Sequence, residues 1–146
     1  MDQPHHALRI EHVGIAVRDL DAAIGIYEKL LGVPCYAVEE VADQSVKTAF
    51  FRLGESKVEL LQSTSPDGPV AKFIEKRGEG IHHIAYASGD IHVALRDLAA
   101  DGVRLIDGSP RRPSRLRGGL RQTRRDSPGA LFSRTKRRTT GRTGDR

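Results

Sequence analysis

The stretch Ile10-Glu-His-Val-Gly-Ile-Ala-Val17 decides the fold, because it recurs later in the chain as Ile81-His-His-Ile-Ala-Tyr-Ala-Ser88. Both segments are short and apolar with a histidine in third place, so that His12 and His83 occupy equivalent positions. Alternate side chains of a strand point to opposite faces, so each histidine shares its face with small residues. Two equivalent strands of this kind would direct two imidazoles into one cleft, as a metal site requires.

The repeat extends beyond these two segments. Asp19 or Asp21 is placed to cap a helix after the first segment, and Asp90 to cap one after the second. Gly32 and Gly102 then end the two predicted helices at equivalent positions. A motif that recurs at a fixed spacing, together with the residues that begin and end the following helix, indicates a duplicated module.

The order of elements in each copy predicts an α+β fold. In the first copy, strand and helix are followed by strand-like segments at 35–41, 44–53 and 57–62, the last two joined as a hairpin. A short helix is predicted at 69–77. The second copy restarts at Gly80 and stops resembling the first after a predicted strand that begins at 103–106. We therefore predict one complete βαβββ module and a truncated second one.

Composition bounds the class of protein. A chain of 146 residues is one domain on length alone. Cys35 is the only cysteine, which excludes an internal disulfide and favours a reducing compartment. No apolar run approaches the ~20 residues of a membrane span, and no secretory signal begins the chain. We predict a cytoplasmic protein that does not associate with membranes.

The charge is divided unevenly. Residues 111–146 contain 12 Arg and 1 Lys against 2 Asp, whereas the first 110 residues hold 11 basic and 17 acidic side chains. The tail has few apolar residues, so we expect it to be disordered or poorly packed. One interpretation is a basic arm that binds nucleic acid phosphates. The favoured interpretation is a shifted coding frame near Arg111, which also explains why the second module breaks off.

Taken together, the motifs resemble those of the methylmalonyl-CoA epimerase family, part of the vicinal oxygen chelate superfamily that includes glyoxalase I. The resemblance covers about residues 8–109 and implies paired βαβββ modules around a divalent metal. It divides the chain into a vicinal oxygen chelate domain at 8–110 (module one 8–64, linker 65–79, partial module two 80–110) and the basic tail at 111–146. It rests on His12-Val-Gly-Ile-Ala-Val, Asp19-Leu-Asp, Leu30-Leu-Gly-Val, Val58-Glu-Leu-Leu and Gly80-Ile-His-His-Ile-Ala-Tyr.

The resemblance also implies a set of metal ligands. Two histidine ligands of the family fall on His12 and His83, and a third ligand falls on Glu59. His82 is predicted to lie on the opposite face as a packing or surface residue. The fourth ligand, a glutamate on the last strand of module two, has no match here. Without the resemblance, His12 could be a core histidine and Glu59 a solvent-facing strand residue.

The implied activity is interconversion of (2R)- and (2S)-methylmalonyl-CoA by removal of the α-proton through a metal-stabilised enolate. The implied cofactor is a divalent metal ion, Co²⁺ first, with Mn²⁺, Zn²⁺ or Ni²⁺ as alternatives. The partners expected are an acyl-CoA substrate and a second copy in a homodimer. One of the family's two catalytic glutamates falls near Thr48 and the other on the missing strand, so no acid–base pair is assigned. We expect the missing strands to weaken activity.

Two other functions remain open from the sequence. The chain could be a glyoxalase I or an extradiol-type dioxygenase of the same superfamily, because the fold does not choose among these activities. It could also be a non-enzymatic protein that binds nucleic acid through its Arg-rich tail, although the nucleic-acid interpretation is the weaker one.

Overall fold

The structure of the protein is a computed structural model, and it describes residues 7–105 and 129–133. Over these residues the chain forms six strands and three helices, with a 3₁₀ turn at Ala42–Gln44. The elements are β1 (Arg9–Ala16), α1 (Leu20–Leu31), β2 (Ala37–Val41), β3 (Val46–Leu53), β4 (Ser56–Ser63), α2 (Pro69–Arg77), β5 (Gly80–Ser88), α3 (Ile91–Ala100) and β6 (Gly129–Ser133).

All six strands belong to one sheet in the order β2-β3-β4-β1-β5-β6. The pair β1–β4 is parallel, and the other neighbouring pairs are antiparallel. The two strands that carry the repeated motif, β1 and β5, are therefore direct neighbours at the centre. The predicted α+β class and the complete first βαβββ module are confirmed.

Helix α1 covers the face of the sheet that we call the outer face. Its start is fixed by Asp19, whose carboxylate accepts a hydrogen bond from the Ala22 amide at 3.0 Å. It ends at Gly32 in the left-handed conformation (φ 68°), which costs a glycine least. Leu20 of α1 packs there in a buried cluster with Phe51 and other apolar side chains of the sheet.

The opposite face, which we call the inner face, carries the site residues of β1 and β4. Alternation along β1 places His12, Gly14 and Ala16 on this face. Ala16 belongs to a second buried cluster, to which α2 contributes Val70 and Ile74. Helix α2 therefore covers the inner face around Ala16.

Helix α2 has the bounds that the sequence predicts. It begins at Pro69, which suits the first turn because a proline lacks the amide hydrogen that would be unpaired there. It ends before Gly78. Among the described residues, no helix has the length and apolar character needed to cross a membrane.

The predicted strand after α3 is wrong over its described part. Residues 103–105 form no strand. The Val103 amide instead donates to the Leu98 carbonyl at 2.9 Å and closes the end of α3. That amide is therefore not available for a hydrogen bond to a neighbouring strand.

The expectation of a tail without regular structure is also wrong for five residues. Gly129–Ser133 forms β6 and pairs antiparallel with Gly80–Ser88, with Ala85 opposite Phe132. Residues 130–132, Ala-Leu-Phe, form the one three-residue apolar run of the tail, and the edge of β5 offers backbone groups that require partners. The remainder of the predicted tail lies outside the described residues.

Candidate metal centre

Three side chains from three strands converge on the inner face. His12 on β1 is 7% exposed, and its Nε2 lies 3.0 Å from Nε2 of His83 on β5. The same His12 nitrogen lies 3.6 Å from Oε2 of Glu59 on β4. One ligand atom from each of the three residues lies within 4.8 Å of the others. The structure thus brings together all three residues that the sequence analysis named.

Strand register explains why these side chains meet. Gly14 is paired with Glu59 on the β4 side and with His83 on the β5 side, so that the three form one row across the sheet. His12 stands two residues before Gly14 on the same face. The ring of His83 occupies the space above Gly14, where a Cβ atom would lie 2.6 Å from Nδ1 and 2.7 Å from Nε2 of that ring.

Two register shifts interrupt the β1–β5 pair beside the histidines. One leaves Glu11 without a Cα partner on β5, and the other leaves His82 without one on β1. An extra residue of this kind bends its strand and re-aims its side chain. The prediction that His82 faces away from His83 is therefore wrong, because the two Nδ1 atoms lie 2.9 Å apart.

Glu11 and Lys57 connect to the site through His12. The Glu11 carboxylate accepts a hydrogen bond from Nδ1 of His12, which must carry the hydrogen because an ionised carboxylate cannot donate. The other Glu11 oxygen lies 2.7 Å from Nζ of Lys57. A neutral imidazole that donates from Nδ1 has its lone pair at Nε2, the nitrogen that faces His83.

In the metal-free site, burial and neighbouring ionisable side chains shift the pKa values of Glu11, Glu59 and His83. Burial raises the pKa of the Glu59 carboxyl, although the nearby His12 lowers it in part. Burial, with the charges of His12 and His82, lowers the pKa of His83 to about 4. Chiefly through its hydrogen bond from His12, Glu11 has a pKa of about 2. His83 is therefore neutral at pH 7 and keeps the lone pair that a metal ligand needs.

These residues fit a divalent ion. Imidazole nitrogen and carboxylate oxygen are the ligand types of Zn²⁺ and neighbouring transition metals. Two nitrogens that each lie about 2.1 Å from one ion and at right angles to each other are about 3.0 Å apart. The observed separation of the two Nε2 atoms is 3.0 Å. A cation would also favour the ionised form of Glu59, which burial alone disfavours.

The sequence analysis did not identify Glu39, whose carboxylate lies near the position where the family resemblance places a catalytic glutamate. Thr48 is 5% exposed, and its partner across the β2–β3 pair is Glu39. Glu39 is half-buried on the inner face, and its charge adds to the effect of burial in raising the pKa of Glu59. Period-two alternation around Glu39 was the available signal, but the register of β2 against β3 was needed to place it.

The lowered pKa of His83 predicts a pH dependence of stability in the metal-free chain. Unfolded His83 takes up a proton near pH 6.5, whereas the folded residue stays neutral down to about pH 4. The unfolded state thus binds more protons in this window, and the stability present above pH 6.5 falls as the pH drops towards 4.

We expect urea unfolding to show a larger loss of free energy between pH 7 and pH 4.5 for the wild-type chain than for His83→Gln. The raised pKa of Glu59 acts in the opposite direction, because it favours the folded state as the pH falls. Both chains contain Glu59, so its contribution cancels when their losses are compared. Equal losses in the two chains would contradict the assignment of a neutral, buried imidazole at this position.

Comparison with known proteins adds the family context. The sequence profile of the Glyoxalase/Bleomycin resistance protein/Dioxygenase superfamily matches residues 11–118. The chain is 41% identical over 103 residues to the uncharacterized protein YqjC of Bacillus subtilis (strain 168), which covers 70% of this chain and 74% of that protein. It is 39% identical over 105 residues to the ethylmalonyl-CoA/methylmalonyl-CoA epimerase of Cereibacter sphaeroides, which covers 70% and 78%.

Solved structures of methylmalonyl-CoA epimerases also resemble this chain. A methylmalonyl-CoA epimerase in complex with methylmalonyl-CoA and NH4+ superposes with a TM-score of 0.68 at 36% identity, covering 74% of this chain and 79% of that one. The methylmalonyl-CoA epimerase of Mycobacterium tuberculosis superposes with a TM-score of 0.70 at 33% identity, covering 78% and 77%.

Proposed function

Because the chain belongs to the Glyoxalase/Bleomycin resistance protein/Dioxygenase superfamily, we propose that its inner face is the active site of a methylmalonyl-CoA epimerase. The substrate would be the (2R)/(2S) pair of methylmalonyl-CoA, and the reaction would remove and return the proton on the carbon between thioester and carboxylate. Relatives and solved structures with this name support an enzyme of the epimerase class.

One observation supports the site more than any other. Nε2 atoms of two histidines from equivalent strands of a repeated motif lie 3.0 Å apart, with the Glu59 carboxylate beside them. A divalent ion held by His12, Glu59 and His83 would supply Lewis-acid stabilisation of the negative charge that develops on substrate oxygen. Co²⁺ is our first choice of ion, as the resemblance implies, with Mn²⁺, Zn²⁺ and Ni²⁺ as alternatives.

The protein side chains would contribute position and exclusion of water. Glu59 and His83 are half-buried and His12 is buried, so the three are held in a setting of low dielectric constant where charge interactions are strong. Their backbone lies in three adjacent strands, which fixes the ligand atoms more firmly than loops would.

We propose Glu39 as the group that moves the proton on one side of the substrate carbon. It lies on the inner face, outside the proposed ligand set, and opposite Thr48, near which the family resemblance places a glutamate. A carboxylate that lies on the same face as the proposed ligands and is not itself one of them is a suitable general base. The second proton-transfer group has no counterpart in the described residues.

The test is hydrogen exchange. We expect the Co²⁺-loaded chain to incorporate deuterium from D₂O at the α-carbon of methylmalonyl-CoA, detected by mass spectrometry, at a lower rate than the Cereibacter sphaeroides relative. We expect the lower rate because the described residues supply three candidate ligands, one fewer than the family resemblance implies. Glu39→Gln should reduce exchange by about a hundredfold, as expected for loss of one general base, while the chain still binds Co²⁺.

Matched outcomes separate this function from its alternatives. Glu55 is exposed in the turn between β3 and β4, so Glu55→Gln should exchange at the wild-type rate. Absence of exchange together with glutathione-dependent turnover of methylglyoxal, or with Fe²⁺-dependent oxygen uptake on a catechol, would replace the epimerase assignment with one of those activities.

A further inference from the structure

The residue immediately before each histidine occupies the same unusual place in both copies of the repeat. Glu11 precedes His12, His82 precedes His83, and these two residues lack Cα partners across the β1–β5 pair. Each of them contacts Nδ1 of the histidine that follows it. We propose that Glu11 and His82 are a duplicated pair of positioning residues, which hold Nδ1 of each histidine so that both Nε2 atoms point at a shared ion.

The proposal rests on the proposed metal site and goes beyond it, because it assigns roles to residues outside the ligand set. In regular strand alternation, neighbours point to opposite faces, and Glu11 and His82 would be turned away from the site. The register shifts are what allow each residue to reach the ring beside it. The duplicated shifts therefore serve one geometric purpose in both halves of the repeat.

For His12 the positioning group is charged. The Glu11 carboxylate accepts from Nδ1 and is itself held by Lys57 at 2.7 Å. A carboxylate on the far nitrogen fixes the tautomer and the orientation of a ligand imidazole, and it makes the ligand nitrogen more basic. Lys57 lies opposite His12 in the β1–β4 register, so the strand pairing itself holds the carboxylate in place.

For His83 the positioning group is a second imidazole. Nδ1 of His82 lies 2.9 Å from Nδ1 of His83, and the rings stand nearly perpendicular at 85°. The ring of Phe73 on α2 packs edge-on against His82, with centroids 4.8 Å apart. If Nε2 of His83 bound an ion, its Nδ1 would carry the hydrogen and donate it to Nδ1 of His82, whose own proton would then be on Nε2.

The experiment compares alanine variants with variants that keep the acceptor atom. We expect Glu11→Ala and His82→Ala each to weaken Co²⁺ binding about 10–100-fold by calorimetry, the usual cost of losing such a partner. Glu11→Gln keeps an oxygen that can accept from Nδ1, and His82→Asn keeps an acceptor near the position of Nδ1. Both conservative variants should recover most of the affinity. Glu55→Ala and His92→Ala, at exposed positions, serve as controls.

The ¹⁵N chemical shifts of the histidine rings report the tautomer of each histidine, and so distinguish a positioning role from an effect on folding stability. In the metal-free chain, ¹⁵N ring shifts should show the Nδ1–H tautomer for His12, and a mixed population in Glu11→Ala. In the Zn²⁺-loaded chain, the same form should appear for His83. The inference is overturned if the alanine variants bind Co²⁺ as tightly as wild type, or if the conservative variants bind as weakly as the alanine variants. A wild-type chain that binds no Co²⁺ would refute the proposed function. The positioning role of Glu11 would then still be tested by the tautomer of His12 in the metal-free wild-type and Glu11→Ala chains.

Discussion

Replacing His12 by alanine should abolish Co²⁺ binding at the proposed metal site and reduce the proposed α-proton exchange to background. Its Nε2 is the atom that lies close to both other proposed ligands, at 3.0 Å from Nε2 of His83 and 3.6 Å from Oε2 of Glu59. A four-ligand zinc site contributes about 10–16 kcal/mol, or about 3–4 kcal/mol per ligand, so Co²⁺ affinity should fall by about a hundredfold to a thousandfold. Calorimetric Co²⁺ titration and deuterium incorporation measure the two effects.

Two comparisons keep this result interpretable. His83→Ala should reproduce the loss, because the two histidines occupy equivalent positions in the repeat. His92→Ala removes an imidazole from an exposed position on α3 and should change neither measurement. Since His12 is buried, unfolding curves of the metal-free variants are needed alongside. A folded His12→Ala chain that binds Co²⁺ with wild-type affinity would exclude this residue as a ligand.

Gly14→Ala should be nearly as damaging, although Gly14 is not a ligand. The new methyl group would lie 2.6 Å from Nδ1 and 2.7 Å from Nε2 of His83, so the ring must leave its place above β1. Loss of a correctly placed ligand lowers Co²⁺ affinity by about a hundredfold to a thousandfold. Overpacking should also lower the free energy of unfolding by about 1–3 kcal/mol.

A second glycine in the chain provides the matched control. Gly25 lies within α1, and a Cβ there would have no atom within 4 Å. Gly25→Ala should therefore leave Co²⁺ binding unchanged and raise the free energy of unfolding by about 0.5–1 kcal/mol, because alanine favours a helix. If the clash is with the ring, Gly14→Ala should cost less stability in a His83→Ala background. An equal cost in both backgrounds would contradict the close approach of ring and glycine.

The repeat allowed much of the fold to be predicted. The period of the apolar residues and the helix caps located the first module, because these signals are local. The ligand assignments of His12, Glu59 and His83, which came from the family resemblance, agree with the geometry but remain a proposal until metal binding is measured. The bounds of α2 were predicted to the residue, since a proline and a glycine mark its ends.

The failures share a physical cause, which is that strand pairing is not a local property. The position of His82 depends on a register shift between β1 and β5, and no alternation pattern within one strand reveals it. The same holds for Glu39, whose place was set by pairing with β3. β6 contains a three-residue apolar run and pairs with the available edge of β5. No strand forms at Val103, because its amide donates a hydrogen bond to the Leu98 carbonyl at the end of α3.

The central claim is that one divalent ion binds between the two copies of the repeated motif. It is tested most directly by titrating Co²⁺ into the metal-free chain and recording X-ray absorption at the cobalt edge. The account predicts one ion per chain, with scattering from two imidazole rings in the wild-type protein and from none in a His12→Ala, His83→Ala double variant. Binding that persists unchanged in the double variant, or a wild-type spectrum without imidazole scattering, would contradict it.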